Sequence, residues 1–340
     1  LIRMLLGNPR ILMALGLVLF ALIKYNTSTV KQENPFTGRV VTVQDMTPEQ
    51  ETALGLQSVP EMAQQFGGAV RDPLLRSKIN EIGQRLLDAK ERIVTQRGKQ
   101  EAEFDYKFQF HVLADKETIN AFALPGGFIG VNTGLMLTAE SEDELAGVLA
   151  HELGHLSQRH FARSQEANKY NQWLALGGLL ASIAAASAGG SQAGLALGAS
   201  AQSLAAQNQL RYSRNFEQEA DRIGLQTLTQ SGYEPRAMPT FFARLDRSTR
   251  QLGYVPEFLL THPLSSTRLS DLERRVSQAK RAIKPTDPSY RLLQVRLQMA
   301  YSDQLDENIR AFETALQDGE APVATRYGLS LAYLRQSRLD

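Results

Sequence analysis

The sequence predicts an α+β protein that is mainly helical and carries a small β-sheet. Two patterns lead to this fold class. Apolar residues recur with helical spacing over about 142–163, behind a capping sequence, which indicates an amphipathic helix. Apolar and polar residues alternate strictly from Phe104 to Val112, which is typical of a strand with one buried face. A chain of 340 residues has room for one large domain and a smaller one.

Residues 1–30 have the pattern of an export signal or a membrane anchor. Ile11–Ile23 is apolar and uncharged, with Arg3 and Arg10 before it and Lys24 after it. This segment is short for a membrane span and suits a signal peptide, but no small-x-small cleavage site follows it. We therefore expect an uncleaved signal-anchor in contact with inner-membrane lipid, with the rest of the chain on the periplasmic side. A cleaved signal peptide and a buried core helix are the alternatives.

Two helices are expected after a polar tether at residues 31–46. The first helix opens with Pro48 in its first position. The second opens at Asp72-Pro73 and is expected to reach about Lys90. Both should pack on a domain that covers residues 47–283.

The predicted sheet has two extended segments. The strand from Phe104 to Val112 places His111 on its polar side, and we do not expect this histidine to bind a metal. A second run, from Asn120 to Val131, is broken by a glycine pair that lets another backbone approach closely. A peptide beside such an edge would bind through main-chain hydrogen bonds, with weak sequence specificity. An ordinary hairpin turn is the alternative. The residues assigned to substrate are Asn120, Ala121, Phe122, Ala123, Gly126 and Gly127.

The pentapeptide from His151 to His155 is the most informative motif in the chain. Its two histidines lie four residues apart on one helix face, so both imidazoles can bind one metal ion. Glu152 follows the first histidine and can reach a metal-bound water as a general base. Gly154 weakens the helix, which is understandable if another backbone passes close by. His160 falls off the ligand face and is expected to be solvated or to cap the helix. A surface helix with two histidines is the alternative.

A third ligand is expected from a later helix, because a catalytic zinc keeps three protein ligands and one position for water. Glu217 and Asp221 share a helix face beside apolar positions, whereas Glu219 points elsewhere. We assign Glu217 as the third ligand and Asp221 as the carboxylate that accepts the outer N–H of a ligating histidine. A solvated acidic face is the alternative. Between the two ligand helices, residues 171–210 carry no charge, which favours a helical hairpin or lid over two membrane spans.

His262 is the remaining candidate for the site. Pro263 biases it toward an extended backbone, in a loop before a helix at about 266–282. In one interpretation His262 donates a hydrogen bond to the oxyanion of the reaction. In the other it takes the fourth zinc position and holds the enzyme idle. The alternative is a loop histidine that only stabilises the following helix.

Residues 284–340 are expected to form a helical segment of tetratricopeptide type after a linker at Lys284–Pro288. The positions that match such a repeat are Leu329, Ser330 and Tyr333 for a first helix, and Phe312 and Ala315 for a second one. Because the segment stops in mid-repeat, we expect it to be truncated. A tail of this type would recruit a protein partner.

Together these motifs resemble the gluzincin zinc metallopeptidases of the HtpX, CAAX-prenyl protease and BepA type. Besides the two metal motifs, the resemblance rests on Asn120–Gly127, Val131–Leu135 and Thr261–Leu264. It covers about residues 45–283, and the layout is closest to periplasmic BepA-like proteases with a C-terminal tetratricopeptide region. The resemblance implies a zinc endopeptidase fold whose edge strand pairs with an extended substrate. The membrane-embedded members have several spans where this chain has one clear candidate.

The resulting hypothesis is a zinc-dependent endopeptidase with one Zn²⁺ per chain, held by His151, His155 and Glu217. Glu152 would take a proton from the attacking water and pass it to the leaving amine. Substrates would be extended or misfolded cell-envelope polypeptides, which makes protein quality control the expected task. The alternatives are a membrane-tethered chaperone or assembly factor with an idle or structural metal site, and a metal hydrolase acting on non-peptide substrates. A net charge of +1 gives no reason to expect nucleic acid, and without cysteine the ligands must be histidine and carboxylate.

Overall fold

The computed structural model describes residues 29–34, 38, 40–44, 46–97, 106–172, 213–278, 288–302, 304–319 and 322–336. Helices and strands are numbered in chain order within these ranges. The chain forms two compact units, one made of residues 1–50 and 157–219 and the other of residues 51–156 and 220–340. The second unit holds the three-stranded sheet and the main hydrophobic core.

The strands are β1 (Thr29–Glu33), β2 (Val40–Gln44), β3 (Gln109–Leu113), β4 (Ala121–Leu124) and β5 (Phe128–Asn132). The helices are α1 (Pro48–Gln65), α2 (Pro73–Gln96), α3 (Thr133–Thr138), α4 (Glu142–Ser157), α5 (160–172), α6 (213–230), α7 (Ala237–Leu252), α8 (Glu257–Thr261), α9 (Ser266–Gln278), α10 (Ser289–Tyr301), α11 (Leu305–Gln317) and α12 (Pro322–Arg335). Helices thus dominate beside a small sheet, which confirms the α+β fold class.

The three-stranded sheet has the order β3-β5-β4. Strand β3 runs parallel to β5, and β4 pairs with β5 antiparallel as a hairpin. Strand β4 therefore lies at an edge of this sheet. The strand expected from residue 104 is shorter than the alternation suggests: residues 106–108 belong to no strand, and residues 104 and 105 lie outside the described ranges.

The β4–β5 turn explains the glycine pair. Gly126 and Gly127 have φ angles of 80° and 95°, which a side chain rarely tolerates. A Cβ atom at Gly126 would lie 2.3 Å from the Cα of Thr52 in α1. The close approach expected at this pair is therefore found, but the approaching backbone belongs to this chain. Contact of the pair with a substrate stays a prediction.

The starts of α1 and α2 agree with the sequence. Thr47 Oγ1 accepts a hydrogen bond from Gln50 N at 3.3 Å, and Gln50 Oε1 accepts one from Thr47 N at 2.9 Å, which is a capping box. Asp72 Oδ1 accepts a hydrogen bond from Leu74 N at 2.9 Å at the start of α2. Both predicted starts are confirmed. Helix α2 ends at Gln96, later than expected, because its apolar face continues through Ile93 and Val94.

The single helix expected over 142–163 is wrong, because two helices occupy this range. Helix α4 ends at Ser157, and Arg159 adopts a left-handed φ of 49° before α5 begins. The Arg159 side chain is buried, and its Nη2 atom donates a hydrogen bond to Met46 O at 2.7 Å. This buried hydrogen bond offsets the cost of the unusual backbone angle. The direction of the chain therefore changes soon after His155.

Two hydrophobic cores organise the second unit. The main core joins α2, the sheet, α4, α6, α7, α8 and α9. The smaller core joins the last three helices through Val295, Met299, Ile309, Phe312, Ala324 and Ala332. Within it the Phe312 ring fits against Gly328, where a Cβ atom would lie 2.6 Å away, whereas Ser330, the expected small position, is exposed. The tail is helical, and its tetratricopeptide type stays a prediction.

The N-terminal unit differs from the expected tether. Strands β1 and β2 pair antiparallel, and most of their residues fall in the range 31–46 that was expected to be a tether. The β-branched run Val40–Val43 favours a strand there. No helix in the described part of the chain is long and apolar enough to cross a bilayer. The expected anchor at Ile11–Ile23, most of the uncharged segment 171–210 and the linker before Pro288 lie outside the described residues.

Candidate metal centre

Helix α4 carries His151, Glu152 and His155, and its first turn is tightly anchored. Glu142 accepts hydrogen bonds from Lys78 Nζ at 3.1 Å and from the Tyr233 hydroxyl at 2.9 Å. Glu144 accepts one from Arg244 Nη1 at 2.6 Å. All three first-turn acids also suit the positive end of the helix dipole. The start of the helix that bears the metal motif is therefore fixed by charged contacts from three other segments.

Helices α4 and α6 touch through glycine on both sides. A Cβ atom at Gly154 would lie 2.7 Å from Ala220 O, and one at Gly224 would lie 2.9 Å from Ala150 O. Real Cβ atoms do not come this close to backbone oxygens. The two backbones can therefore pack at this distance only with glycine at both positions. This contact explains the helix-weakening glycine in the metal motif.

The imidazoles converge with the spacing that a small cation requires. His155 Nε2 lies 3.1 Å from His151 Nε2, which lies 3.3 Å from His262 Nδ1. Nitrogens bound to a tetrahedral zinc at about 2.0–2.1 Å are separated by about 3.3 Å. Glu217, buried on α6, completes the group: its oxygen and the three histidine nitrogens all lie within 4.8 Å of one another. The donor set of imidazole and carboxylate suits zinc.

Asp221 lies one turn after Glu217 on α6 and faces His151. Its Oδ1 atom lies 3.1 Å from His151 Nδ1. Burial raises the pKa of the Asp221 carboxyl, but hydrogen bonds from Arg268 and the contact with His151 outweigh this effect and hold the pKa below its usual range. An ionised carboxylate at this distance favours a proton on Nδ1, which leaves the lone pair of Nε2 free for a metal.

Arg268 on α9 is a site residue that sequence reasoning missed. Its Nε and Nη2 atoms donate to both oxygens of Asp221 at 2.7 and 2.8 Å, and Nη1 donates to the carbonyls of His262 and Pro263 at 3.3 and 2.8 Å. One buried guanidinium thus connects the carboxylate behind His151 with the loop that carries His262. The signal was present, because Arg268 stands in one helical stripe with buried Leu272 and Val276, where an arginine needs a buried partner.

His262 also faces Glu152. Its Nε2 atom lies 3.5 Å from Glu152 Oε1, while its Nδ1 atom belongs to the metal-donor group. Phe258 and Phe242 surround the imidazoles: the Phe258 ring lies 4.8 Å from that of His262, and the Phe242 ring lies 5.7 Å from that of His151. These apolar rings lower the polarity beside the imidazoles, which strengthens the electrostatic interactions between the donors.

His111 and His160 lie outside this donor group, and His160 is not solvated. It is buried in the N-terminal unit, stacked on Phe216 and 3.3 Å from Glu219 Oε2, which Arg163 Nη1 also contacts at 2.6 Å. Burial lowers the pKa of His160 to about 4, so this histidine is neutral near pH 7. The expectation of a solvated or capping histidine is therefore wrong, because the turn after α4 directs the ring inward. His111 on β3 has its ring near that of Phe128.

The sheet edge presents the residues that were assigned to substrate. Asn120 and Ala121 are buried, and Phe122 and Ala123 are partly exposed. Asn132 N donates to Asn120 O at 3.0 Å, so Asn120 is in a hydrogen-bonded pair with β5. Antiparallel partners alternate, and the main-chain groups of Ala121 and Ala123 therefore point away from β5.

Comparison with known proteins places this geometry in context. Residues 83–276 match the sequence profile of peptidase family M48. The beta-barrel assembly-enhancing protease of Yersinia pestis is 36% identical over 296 residues, which are 86% of this chain and 58% of that protein. The protein of the same name in Escherichia coli strain K12 is 34% identical over 274 residues, 80% of this chain and 53% of that protein.

A eukaryotic relative matches a smaller part of this chain. The mitochondrial metalloendopeptidase OMA1 of Schizosaccharomyces pombe is 34% identical over 180 residues, which are 52% of this chain and 49% of that protein. The matches to the bacterial proteins cover only 53% and 58% of their length, so this chain spans little more than half of them.

Proposed function

The chain belongs to peptidase family M48, and we propose that it is a zinc metalloprotease that hydrolyses internal peptide bonds in extended or misfolded polypeptides of the bacterial cell envelope. The observation that carries this proposal is the group of three imidazole nitrogens and one carboxylate oxygen within 4.8 Å of one another, beside the buried Glu152. Protein quality control is the task that such an activity would serve.

His151, His155 and Glu217 are the proposed ligands of one Zn²⁺. When bound, zinc supplies a Lewis acid that polarises the scissile carbonyl and lowers the pKa of a coordinated water to about 7. Asp221 and Arg268 hold the His151 ring in the orientation that presents its Nε2 atom. Because these partners are themselves buried, the ring has little freedom to turn away.

Glu152 is the proposed general base. Its carboxylate is fully buried next to His151 in sequence, and the Phe242 and Phe258 rings lower the polarity beside that histidine. In such surroundings a carboxylate can accept a proton from the attacking water and return it to the leaving amine. Glu152 therefore carries both proton transfers of peptide hydrolysis in this proposal.

His262 is proposed to occupy the fourth metal position in the resting protein. Its Nδ1 atom lies at the tetrahedral spacing from His151 Nε2, which supports this role. The position must be given up before water can react there. The Nε2 atom, 3.5 Å from Glu152, supports the second possibility that His262 stabilises the oxyanion once the loop has moved.

The proposed substrate-binding element is the free edge of β4. A peptide strand added there would exchange main-chain hydrogen bonds with Ala121 and Ala123, whose groups point away from β5. The edge is closed at Ile119, because the carbonyl of that residue accepts a hydrogen bond from Phe258 N at 3.0 Å. Recognition by main-chain groups depends weakly on side chains, so it suits many different unfolded chains.

The cellular setting is proposed from the bacterial relatives, which are named for the assembly of beta-barrels. We place this protein at the periplasmic side of the inner membrane, held by the segment around Ile11–Ile23. The helices after Ser289 are the proposed site for a protein partner. A second function, assembly factor with an idle metal site, is supported by one observation: His262 belongs to the donor group and would, as a fourth ligand, exclude the reacting water.

The deciding experiment is zinc-dependent cleavage of unfolded casein by the purified chain. Glu152→Gln should lower the rate at least about a hundredfold while the zinc content, measured by mass spectrometry, stays at one ion per chain. Glu91→Gln is the matched control, because Glu91 is exposed on α2, away from the donor group. Casein left intact by the zinc-loaded parent under all conditions would contradict the protease proposal. Full activity of Glu152→Gln would contradict the assignment of the base.

A further inference from the structure

Helix α10 belongs to both hydrophobic cores. Tyr290 and Leu297 are buried in the main core of the metalloprotease, whereas Val295 and Met299 are buried in the smaller core of the last three helices. Gln294 lies on the same face as Tyr290 and is also buried. The face of α10 that meets the metalloprotease therefore contains two polar side chains in an apolar contact.

These two side chains bind the end of α3. Gln294 Nε2 donates to Ala139 O at 2.6 Å and to Met136 O at 2.9 Å and lies 3.4 Å from Leu137 O, and the Tyr290 hydroxyl donates to Met136 O at 2.8 Å. The last carbonyls of any helix have no partner within the helix, and a buried carbonyl without a donor is costly. Helix α10 supplies hydrogen-bond donors for these carbonyls, which α3 and the loop after it lack.

The carbonyls that Gln294 binds stand immediately before the metal helix. Between them, Thr138 O accepts a hydrogen bond from Arg244 Nη2 at 3.2 Å. Glu140 N then donates to Glu144 Oε2 at 2.7 Å in the first turn of α4. Every residue from 136 to 140 thus has at least one main-chain group held from outside α3. The position at which α4 starts depends on these contacts.

Helix α10 is itself fixed at two further points. Arg296 Nε lies 2.6 Å from Asp72 Oδ2, the carboxylate that caps α2, and Tyr301 O accepts a hydrogen bond from Lys116 Nζ at 3.2 Å. Helix α10 therefore contacts the start of α2 and the loop after β3, as well as α3. A helix with three separate anchors can transmit its position to the segment that it binds.

We propose that Gln294 is a positioning residue of the metal site. It fixes residues 136–139, and through them the start of α4, so that His151, Glu152 and His155 are correctly placed relative to the other donor groups. Helix α10 is then functionally part of the metalloprotease, although the sequence places it in the tail. The inference rests on the proposed zinc site, but its test does not depend on proteolysis.

The test compares Gln294→Met with Gln298→Met in the full chain. Gln298 lies one turn later on the same helix, is exposed and donates a hydrogen bond to Asn308 Oδ1, so it matches Gln294 in residue type and helix propensity. Zinc would be replaced by Co²⁺, whose visible absorption reports ligand geometry. We expect Gln294→Met to change this spectrum and to speed loss of zinc to a chelator about tenfold. We also expect kcat to fall while KM stays within twofold.

Tyr290→Phe is the second variant, because it removes one donor to Met136 O and leaves Gln294 in place. It should give a smaller change in the same direction. If Gln294→Met lowered the melting temperature but matched Gln298→Met in spectrum, zinc loss and kcat, the inference would be overturned and the contact would be structural only. If the parent chain bound Co²⁺ but cleaved nothing, the proposed function would fail while the spectral comparison still tested Gln294.

Discussion

Asp221 Oδ1 lies 3.1 Å from His151 Nδ1, and both oxygens of the same carboxylate accept hydrogen bonds from Arg268. A neutral imidazole carries one N–H, and the ionised carboxylate beside Nδ1 favours that nitrogen as its position. The Nε2 lone pair is then directed at the other donors of the metal centre. The ionised Asp221 carboxylate therefore contributes to the metal site by orienting His151, although it is not itself one of the four donor groups.

Asp221→Asn is expected to weaken zinc binding by about 10–100-fold. An amide can turn its NH₂ group toward His151 Nδ1, which favours a proton on Nε2 and blocks the nitrogen that faces the metal. Competition with a fluorescent zinc chelator measures the dissociation constant. Asp271→Asn is the control, because Asp271 on α9 pairs with Arg275 and Arg222 away from the imidazoles. Equal affinities of the two variants would contradict the role of Asp221.

Arg268→Met is expected to lower the free energy of unfolding by about 3–5 kcal/mol, because it leaves Asp221 as a buried charge without its guanidinium partner. It also removes the donor to the His262 and Pro263 carbonyls, so zinc binding should weaken in parallel. Urea unfolding of the zinc-free chain measures the first effect.

The comparison variant for Arg268 is Arg275→Met on the same helix. Arg275 has a side chain that is 39% exposed, against 3% for Arg268, so its ion pair with Asp271 should contribute about 1 kcal/mol or less. A loss of similar size in both variants would mean that Arg268 acts as an ordinary surface arginine.

The metal helix could be predicted from sequence because its evidence is local. Two histidines four residues apart define a face whatever the tertiary fold, and the pair Glu217 and Asp221 does the same on α6. The glycine in the motif also predicted a close backbone, and Ala220 supplies it. Periodicity fixes which residues share a face, so this part of the site needed no knowledge of long-range contacts.

The parts that sequence did not predict depend on distant partners. The interruption at Arg159 requires the carbonyl of Met46, more than a hundred residues earlier, and no local pattern encodes that contact. His160 was expected outside because its partners, Phe216 and Glu219, lie on another helix. Gln294 was given no role from sequence, because its acceptors, Met136 O and Ala139 O, lie more than 150 residues earlier in the chain.

Gly154→Ala is expected to destabilise the protein even though alanine is the better helix former by about 1 kcal/mol. The new Cβ atom would lie 2.7 Å from Ala220 O, a backbone atom that cannot rotate away, so α4 and α6 must separate. Because the two helices carry opposite sides of the metal site, zinc affinity should fall together with the melting temperature.

Gly224 lies in the same contact, whereas Gly147 packs α4 against Met238 of α7 and serves as a comparison. Gly224→Ala should behave like Gly154→Ala, since its Cβ atom would lie 2.9 Å from Ala150 O, whereas Gly147→Ala meets its nearest atom only at 3.1 Å and should be milder. Thermal unfolding with and without zinc measures the series. An increase in stability for Gly154→Ala would show that helix propensity outweighs the contact.

His262→Ala separates the two roles that the geometry supports for this residue. His262 Nδ1 lies 3.3 Å from His151 Nε2, and in the proposed resting state it takes the position that the attacking water needs. If this is its main role, the alanine variant should cleave casein at the parent rate or faster, with one zinc still bound. His262→Gln keeps a polar side chain of similar reach and should give an intermediate rate. Loss of cleavage in the alanine variant with zinc retained would contradict the resting-ligand role, because it would mean that the Nε2 atom near Glu152 is needed for the reaction itself.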